Sequence, residues 1–296
     1  MTYQETLITS PDGRDVEIAT LGSPEGRTVF FHHGTPGSTA LVKSLATMAE
    51  RGDLFLVTTS RPGYGRSTRR EGRSVAAQVD DVRTALDHLG RDTYVSVGWS
   101  GGGPHALACA ALDAPRCRAA WSLAGVVPID ADFDWTAGMG PENLEEFSLA
   151  LEGGAAYEAH MAEAGAQFAD ATSENIIELF GGLLSDADKA ALADDEARAT
   201  LAESCRRAFA TSWRGFYDDD RAFFSAWGFD PGAIAVPVSV WYGDQDLMVP
   251  PSHGAWLGRH VPTATVHHVP ADGHISVISN HLAELADEIA RTFDSL

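Results

Sequence analysis

Four short, almost continuously apolar runs, at residues 28–32, 54–59, 94–98 and 118–123, alternate with three helix-length stretches at 41–51, 75–89 and 101–112. No other feature constrains the fold as much. Runs of this kind, without polar alternation, are strands covered on both faces, as in parallel sheets. In 75–89 the residues Val75, Val79, Val82, Leu86 and Leu89 recur at three- and four-residue steps and form one apolar stripe. Such strand–helix–strand units close by right-handed crossovers into a parallel sheet flanked by helices. Ahead of them, residues 6–10 and 16–21, split by Pro11-Asp12-Gly13, read as an antiparallel hairpin.

The rhythm stops near Asp130. From there to Ile234 the chain shows helical spacing and no convincing strand: Leu144, Phe147 and Leu151 share a face, as do Leu201, Cys205, Phe209 and Trp213. It resumes after Pro237, with strands expected at 238–242 and 265–269 and helices at 253–259 and 275–293. The economical reading is an α/β core made of residues 1–128 and 235–296, interrupted by a helical cap at 129–234. Charge marks the same segment. Residues 130–234 carry 22 acidic and six basic side chains, out of 42 and 21 in the whole chain. Such an excess reads first as solvated surface; over an active site it could also hold a cationic group.

A net charge of −21 argues against nucleic acid and anionic membrane surfaces as partners. No apolar run nears the ~20 residues of a membrane span, and residues 1–10 lack the basic and apolar regions of a signal peptide. Cys109, Cys117 and Cys205 show no metal-like spacing. The expectation is a cytoplasmic chain acting on a small molecule without cofactor or metal. Self-association is left open.

The chemistry is carried by Gly98-Trp99-Ser100-Gly101-Gly102, a G-x-S-x-G sequence between an expected strand and an expected helix. A nucleophile on so sharp a turn occupies strained backbone, so its neighbours must be glycines. The helix behind it offers free N–H groups to developing negative charge. Pro104 falls in the first helical turn, where a missing N–H costs nothing. After the strand at 28–32 comes His33-Gly34-Thr35-Pro36-Gly37, a loop placed to supply a second oxyanion donor. Pro36 has no N–H, which leaves Thr35 as the natural partner of Gly101. A carboxylate and a base should follow Ser100 in chain order. Asp246, in Gly243-Asp244-Gln245-Asp246, and His274, in Asp272-Gly273-His274, stand in loops after expected strands, with Asp244 and then Asp130 as rivals for the acid.

Other features read as structural. His253, His260, His267, His274 and His281 recur every seven residues, but that period crosses helices, a strand and loops and defines no face. His32 reads as a structural histidine. Arg61-Pro62-Gly63-Tyr64-Gly65-Arg66-Ser67 reads as a rigid loop supporting the site. Of Trp135, Phe147, Phe180, Trp213, Phe216, Tyr217 and Trp227, most should form the core of the helical segment and a minority should face Ser100.

Taken in order, His33-Gly34-Thr35-Pro36-Gly37, the Ser100 turn, Gly243-x-x-Asp246 and Gly273-His274 resemble the α/β-hydrolase fold superfamily over residues 5–128 and 235–295. The loops are similar to those of capped esterases, cofactor-free haloperoxidase-like enzymes and proline iminopeptidases. They depart from the iminopeptidases, which favour Gly where Thr35 stands and a Trp after the serine; here Trp99 precedes it. Ser100 counts against the epoxide hydrolases and haloalkane dehalogenases of this fold, which use Asp, and the dienelactone hydrolases, which typically use Cys. The resemblance implies a mostly parallel sheet with a helical cap and a Ser100/Asp246/His274 triad with Thr35 and Gly101 as oxyanion hole. It implies hydrolysis of a carboxylic ester, thioester or lactone, with amide or C–C bond hydrolysis and non-catalytic ligand binding as alternatives.

Overall fold

The computed structural model describes residues 3–40 and 43–295. A hairpin opens the chain: β1 (Tyr3–Thr9) and β2 (Asp15–Gly22) pair antiparallel, Tyr3 opposite Leu21. There follow β3 (Arg27–His32), α1 (Lys43–Gly52), β4 (Leu54–Thr59), α2 (Gln78–His88), β5 (Tyr94–Trp99), α3 (Gly103–Leu112) and β6 (Cys117–Leu123). These match the sequence expectations closely; the expected helix start at residues 41–42 lies outside the described residues. The eight-stranded sheet has the order β1-β2-β4-β3-β5-β6-β7-β8, where β7 is Val238–Gly243 and β8 is Ala264–Val269. From β4 onward every pairing is parallel.

The apolar runs have the predicted reason. In β3, Phe30 packs on one side of the sheet with α2 and α3, while Val29 and Phe31 pack on the other with α1 and α12 (Leu282–Ser295). In β4, Phe55 and Val57 join the first side and Leu54 and Leu56 the second. With both faces covered, every strand position is a core position, each large side chain contributing ~1.5–3 kcal/mol.

Between β6 and β7 lie α4 (Pro141–Glu152), α5 (Gly154–Ala169), α6 (Ile176–Phe180), α7 (Asp186–Ala191), α8 (Asp195–Ala208) and α9 (Arg214–Phe223). After β7 comes α10 (Pro251–His260). One expectation needs correcting. The helix expected at 275–293 is broken into α11 (Ser276–Ser279) and α12. Asn280 Nδ2 donates to Asp272 Oδ1 and His281 Nε2 lies 2.8 Å from Asp272 Oδ2, pulling the chain out of line between them. Apolar spacing alone does not show such a break.

Candidate active site

The C-terminal ends of β3, β5, β7 and β8 lie along one edge of the sheet, and the four motifs follow those ends. Ser100 has φ +57°, a left-handed conformation that costs a non-glycine residue roughly 1–3 kcal/mol. The turn is tight enough that a Cβ on Gly98 would sit 2.1 Å from the Gly102 carbonyl oxygen, and one on Gly101 would sit 2.2 Å from Thr35 Oγ1. Both glycines are therefore required by close approach. Gly101 is the second residue of the short turn Ser100–Gly102 leading into α3, where amides have no acceptor within the helix. Thr35 lies directly against it.

His274 Nδ1 is 2.8 Å from Asp246 Oδ2, and both side chains are buried. The other oxygen, Oδ1, accepts the Met248 and Val249 amides at 2.8 and 2.7 Å. With one oxygen occupied by the backbone, the other is aimed at the imidazole, leaving Nε2 for the substrate side. Burial lowers the His274 pKa, but the charge and hydrogen bond of Asp246, with the charge of Asp188, together outweigh it and raise the group above its ordinary value. Asp244 is not in this position: its Oδ1 meets His268 Nε2 at 2.6 Å on the exposed side. Trp99 contributes as well, its indole N–H donating to the His274 carbonyl at 3.1 Å. Ser100 and His274 face one cavity of about 40 Å³, together with Thr35, Trp99 and Met248.

Sequence reasoning missed two residues that hold these loops. Asp188, in α7, is completely buried and its Oδ1 accepts the amides of Ile275 (2.8 Å) and Ser276 (3.0 Å), while Oδ2 accepts that of His274 (3.1 Å). The Ser276 and Ser185 hydroxyls complete its shell. The only local signal was Ser185-x-x-Asp188, a helix capping box that the structure contains. The second is Asp219, in α9. It is buried between Arg61 and Arg73 and also accepts from Tyr64 Oη (2.9 Å) and Thr35 Oγ1 (2.7 Å). Burial opposes its ionisation, yet the two guanidiniums hold it well below the usual carboxylate range.

Arg61 then reaches the loop of His33 to Gly37 itself, donating to the His33 carbonyl (2.5 Å), the Gly34 carbonyl (2.8 Å) and Thr35 Oγ1 (2.9 Å). Its backbone N–H donates to His33 Nε2, while His33 Nδ1 faces the Gly34 carbonyl, so His33 is the neutral Nδ1–H tautomer. Burial and then Arg61 push its pKa well down, in agreement. The Arg61 loop thus does the supporting work expected of it.

The five evenly spaced histidines have five separate environments. His253 bridges the Val127 amide and the Trp135 carbonyl, His260 stacks on Trp256, His267 stacks on Trp241, His274 meets Asp246, and His281 meets Asp272. His32 is tied to Ser96 at 3.0 Å inside the core. No group of side chains among the described residues is arranged to hold a metal ion, and no described helix is long and apolar enough to cross a membrane.

The cavity lined by Ser100 and His274 shares walls with two others. Phe31, Leu45, Trp99, Leu201 and Ile275 form its wall with an apolar cavity of about 240 Å³ lying behind Trp99. Thr35, Ser100 and Met248 are shared with a third space of about 80 Å³ below α4 and α9. Of the aromatics singled out in the helical segment, Phe147, Phe180 and Phe216 line that third space. Part of the segment's acidity is not surface: Asp188, Asp218, Asp219 and Asp220 are buried.

A family model described as the alpha/beta hydrolase fold matches residues 27–281. The chain belongs to the α/β-hydrolase fold family. It is similar to a bifunctional esterase/perhydrolase of Acinetobacter calcoaceticus, 32% identical over 32% of this chain and 35% of that protein. It is similar also to a non-heme haloperoxidase of Rhodococcus erythropolis, 32% identical over 42% of this chain and 45% of the other. These matches span less than half the length of either relative. Among solved structures, an alpha/beta hydrolase fold protein from Chitinophaga pinensis superposes with a TM-score of 0.71 at 16% identity, over 100% of this chain and 98% of that one. This last likeness is one of fold.

Proposed function

We propose that the chain is a serine hydrolase of small to medium carboxylic esters, thioesters or lactones, acting through an acyl-enzyme. The observation carrying this reading is the His274–Asp246 pair facing the same cavity as a serine on left-handed backbone. Ser100 Oγ attacks the carbonyl while His274 Nε2 takes its proton. Asp246 fixes the Nδ1–H tautomer and stabilises the imidazolium. The amides of Thr35 and Gly101 receive the oxyanion. His274 returns the proton to the leaving group, then activates the water that releases the acid. Residues 129–234 act as the cap, and the apolar cavity behind Trp99 accepts the hydrocarbon part of the substrate. The esterase activity named for the Acinetobacter relative supports the choice of ester.

The test is labelling with a fluorophosphonate, followed by intact mass and peptide mapping. One adduct on Ser100 is expected, with Ser100→Ala losing at least ~10³-fold in ester turnover. An adduct elsewhere, or full turnover by Ser100→Ala, would remove the assignment.

A further inference from the structure

The cavity below α4 and α9 holds two carboxyl groups that the proposed mechanism does not use, Glu146 and Asp220. Asp220 is 1% exposed. Its Oδ2 accepts the Tyr157 hydroxyl at 2.8 Å, whereas its Oδ1 is buried without a donor N–H or O–H. The neighbouring groups do not supply one. Arg61 and Arg73 donate to Asp219 instead, and Arg221 donates to the Ala150 carbonyl. Glu146 is close enough to hydrogen-bond Asp220, but two acids bond only while they keep a proton between them. Burial, then mutual repulsion, raises the Glu146 pKa; burial also raises that of Asp220, Tyr157 notwithstanding.

Among the described residues the only donor within reach of that acceptor is a proton held between two acids, and a ligand ammonium would replace it with N–H groups and a positive charge. Five phenylalanines, Phe147, Phe168, Phe180, Phe216 and Phe223, line much of the rest, with Val126, Asn143, Leu183, Met248 and Val249 among them. No basic side chain lines the space among the described residues. Carboxylates backed by aromatic faces favour a cation, through charge-assisted hydrogen bonds and ring electrostatics together. The volume of about 80 Å³ admits a short amine-bearing chain, and Ser100, Thr35 and Gly101 line the same space.

We infer that Glu146 and Asp220 form a subsite for a protonated amine, so that the ester cleaved at Ser100 carries an ammonium a few bonds from its carbonyl. This rests on the serine-hydrolase reading for the cleavage step, but not for the binding of the amine. On entry the ammonium takes the place of the shared proton, which leaves to solvent.

The experiment compares esters with neutral isosteres at one pH near 8. The methyl esters of β-alanine and 4-aminobutyrate are set against methyl butyrate and methyl pentanoate, and 3-(dimethylamino)propyl acetate against 4-methylpentyl acetate. In parallel, calorimetry measures n-butylammonium chloride binding against 1-butanol. In at least one pair kcat/KM should favour the cationic ester by about tenfold or more, the size of a charge-assisted hydrogen bond. That ratio should fall toward one in Asp220→Asn and in Glu146→Gln, whatever happens to absolute rates, and both variants should lose butylammonium binding. Butylammonium binding lost in these variants, with no ester cleaved, would uphold the subsite and discard the hydrolase reading. Neutral isosteres favoured in all pairs, or a preference that survives both substitutions, would overturn the inference, as would absence of both turnover and amine binding.

Discussion

Asp188→Ala is the sharpest test of how the His274 loop is held. The carboxylate accepts three consecutive amides, those of His274, Ile275 and Ser276, at 3.1, 2.8 and 3.0 Å. Removing it leaves three buried donors without an acceptor, each costing ~1–3 kcal/mol. A water entering the vacated space would bring the sum to the low end, about 3 kcal/mol, from a total stability of about 5–15. At ~2–4 °C per kcal/mol for a chain of this size, Tm should fall by roughly 6–12 °C. A loop displaced by about an ångström should also lower kcat/KM by ~10²-fold. The charge provides a readout that a purely structural role would not move. Asp188 helps to raise the His274 pKa by favouring the imidazolium. The base works when neutral, so activity rises as pH passes upward through that pKa. In Asp188→Asn the charge is gone, the pKa falls, and the acid limb of kcat/KM should move to lower pH. Thermal melts and a pH–rate series on both variants decide the matter. A Tm within about 2 °C of the parent in Asp188→Ala, together with an unmoved acid limb in Asp188→Asn, would refute the reasoning.

Asp246→Asn should cost about 10⁴ in kcat with the fold intact and likewise shift the acid limb downward, since Asp246 is the main group raising His274; an unchanged kcat would reassign the acid. Arg61→Met strips a buried partner from Asp219 and a donor from two oxyanion-loop carbonyls. Urea titration should show a loss of ~3–5 kcal/mol, and an unmoved midpoint would mean that Arg73 alone suffices. Gly98→Ala places a Cβ 2.1 Å from a backbone oxygen of the serine turn. Overpacking of this kind costs ~1–3 kcal/mol, and ester turnover in the folded fraction should drop by ~10² or more; parental turnover would show that the turn yields more easily than its geometry implies.

Much of this molecule was legible before any tertiary contact was known, because the signals are local. A strand covered on both faces must be apolar at every position, so the runs at 28–32 and 54–59 announce β3 and β4 within a residue. The Ser100 turn is legible for a similar reason: a backbone oxygen 2.1 Å from a would-be Cβ leaves glycine as the only residue that fits. Chain order and loops after strands point to His274, and to a carboxylate in 244–246.

Which carboxylate faces His274 was a matter of geometry in space. Asp244 and Asp246 are two residues apart, and it is the Met248 and Val249 amides that turn Asp246 inward while Asp244 meets His268 outside. Asp188 lies 86 residues from His274 in sequence, and Asp219 lies 158 from Arg61. Neither pairing leaves a periodic or local mark, so both acids read as part of a charged, solvated segment. The sequence alone determined the sheet, the serine turn and the order of the candidate catalytic residues, since these depend on neighbours along the chain. The tertiary structure decided which acids are buried and what they hold, because an ionised carboxylate goes inside only where distant donors converge on it.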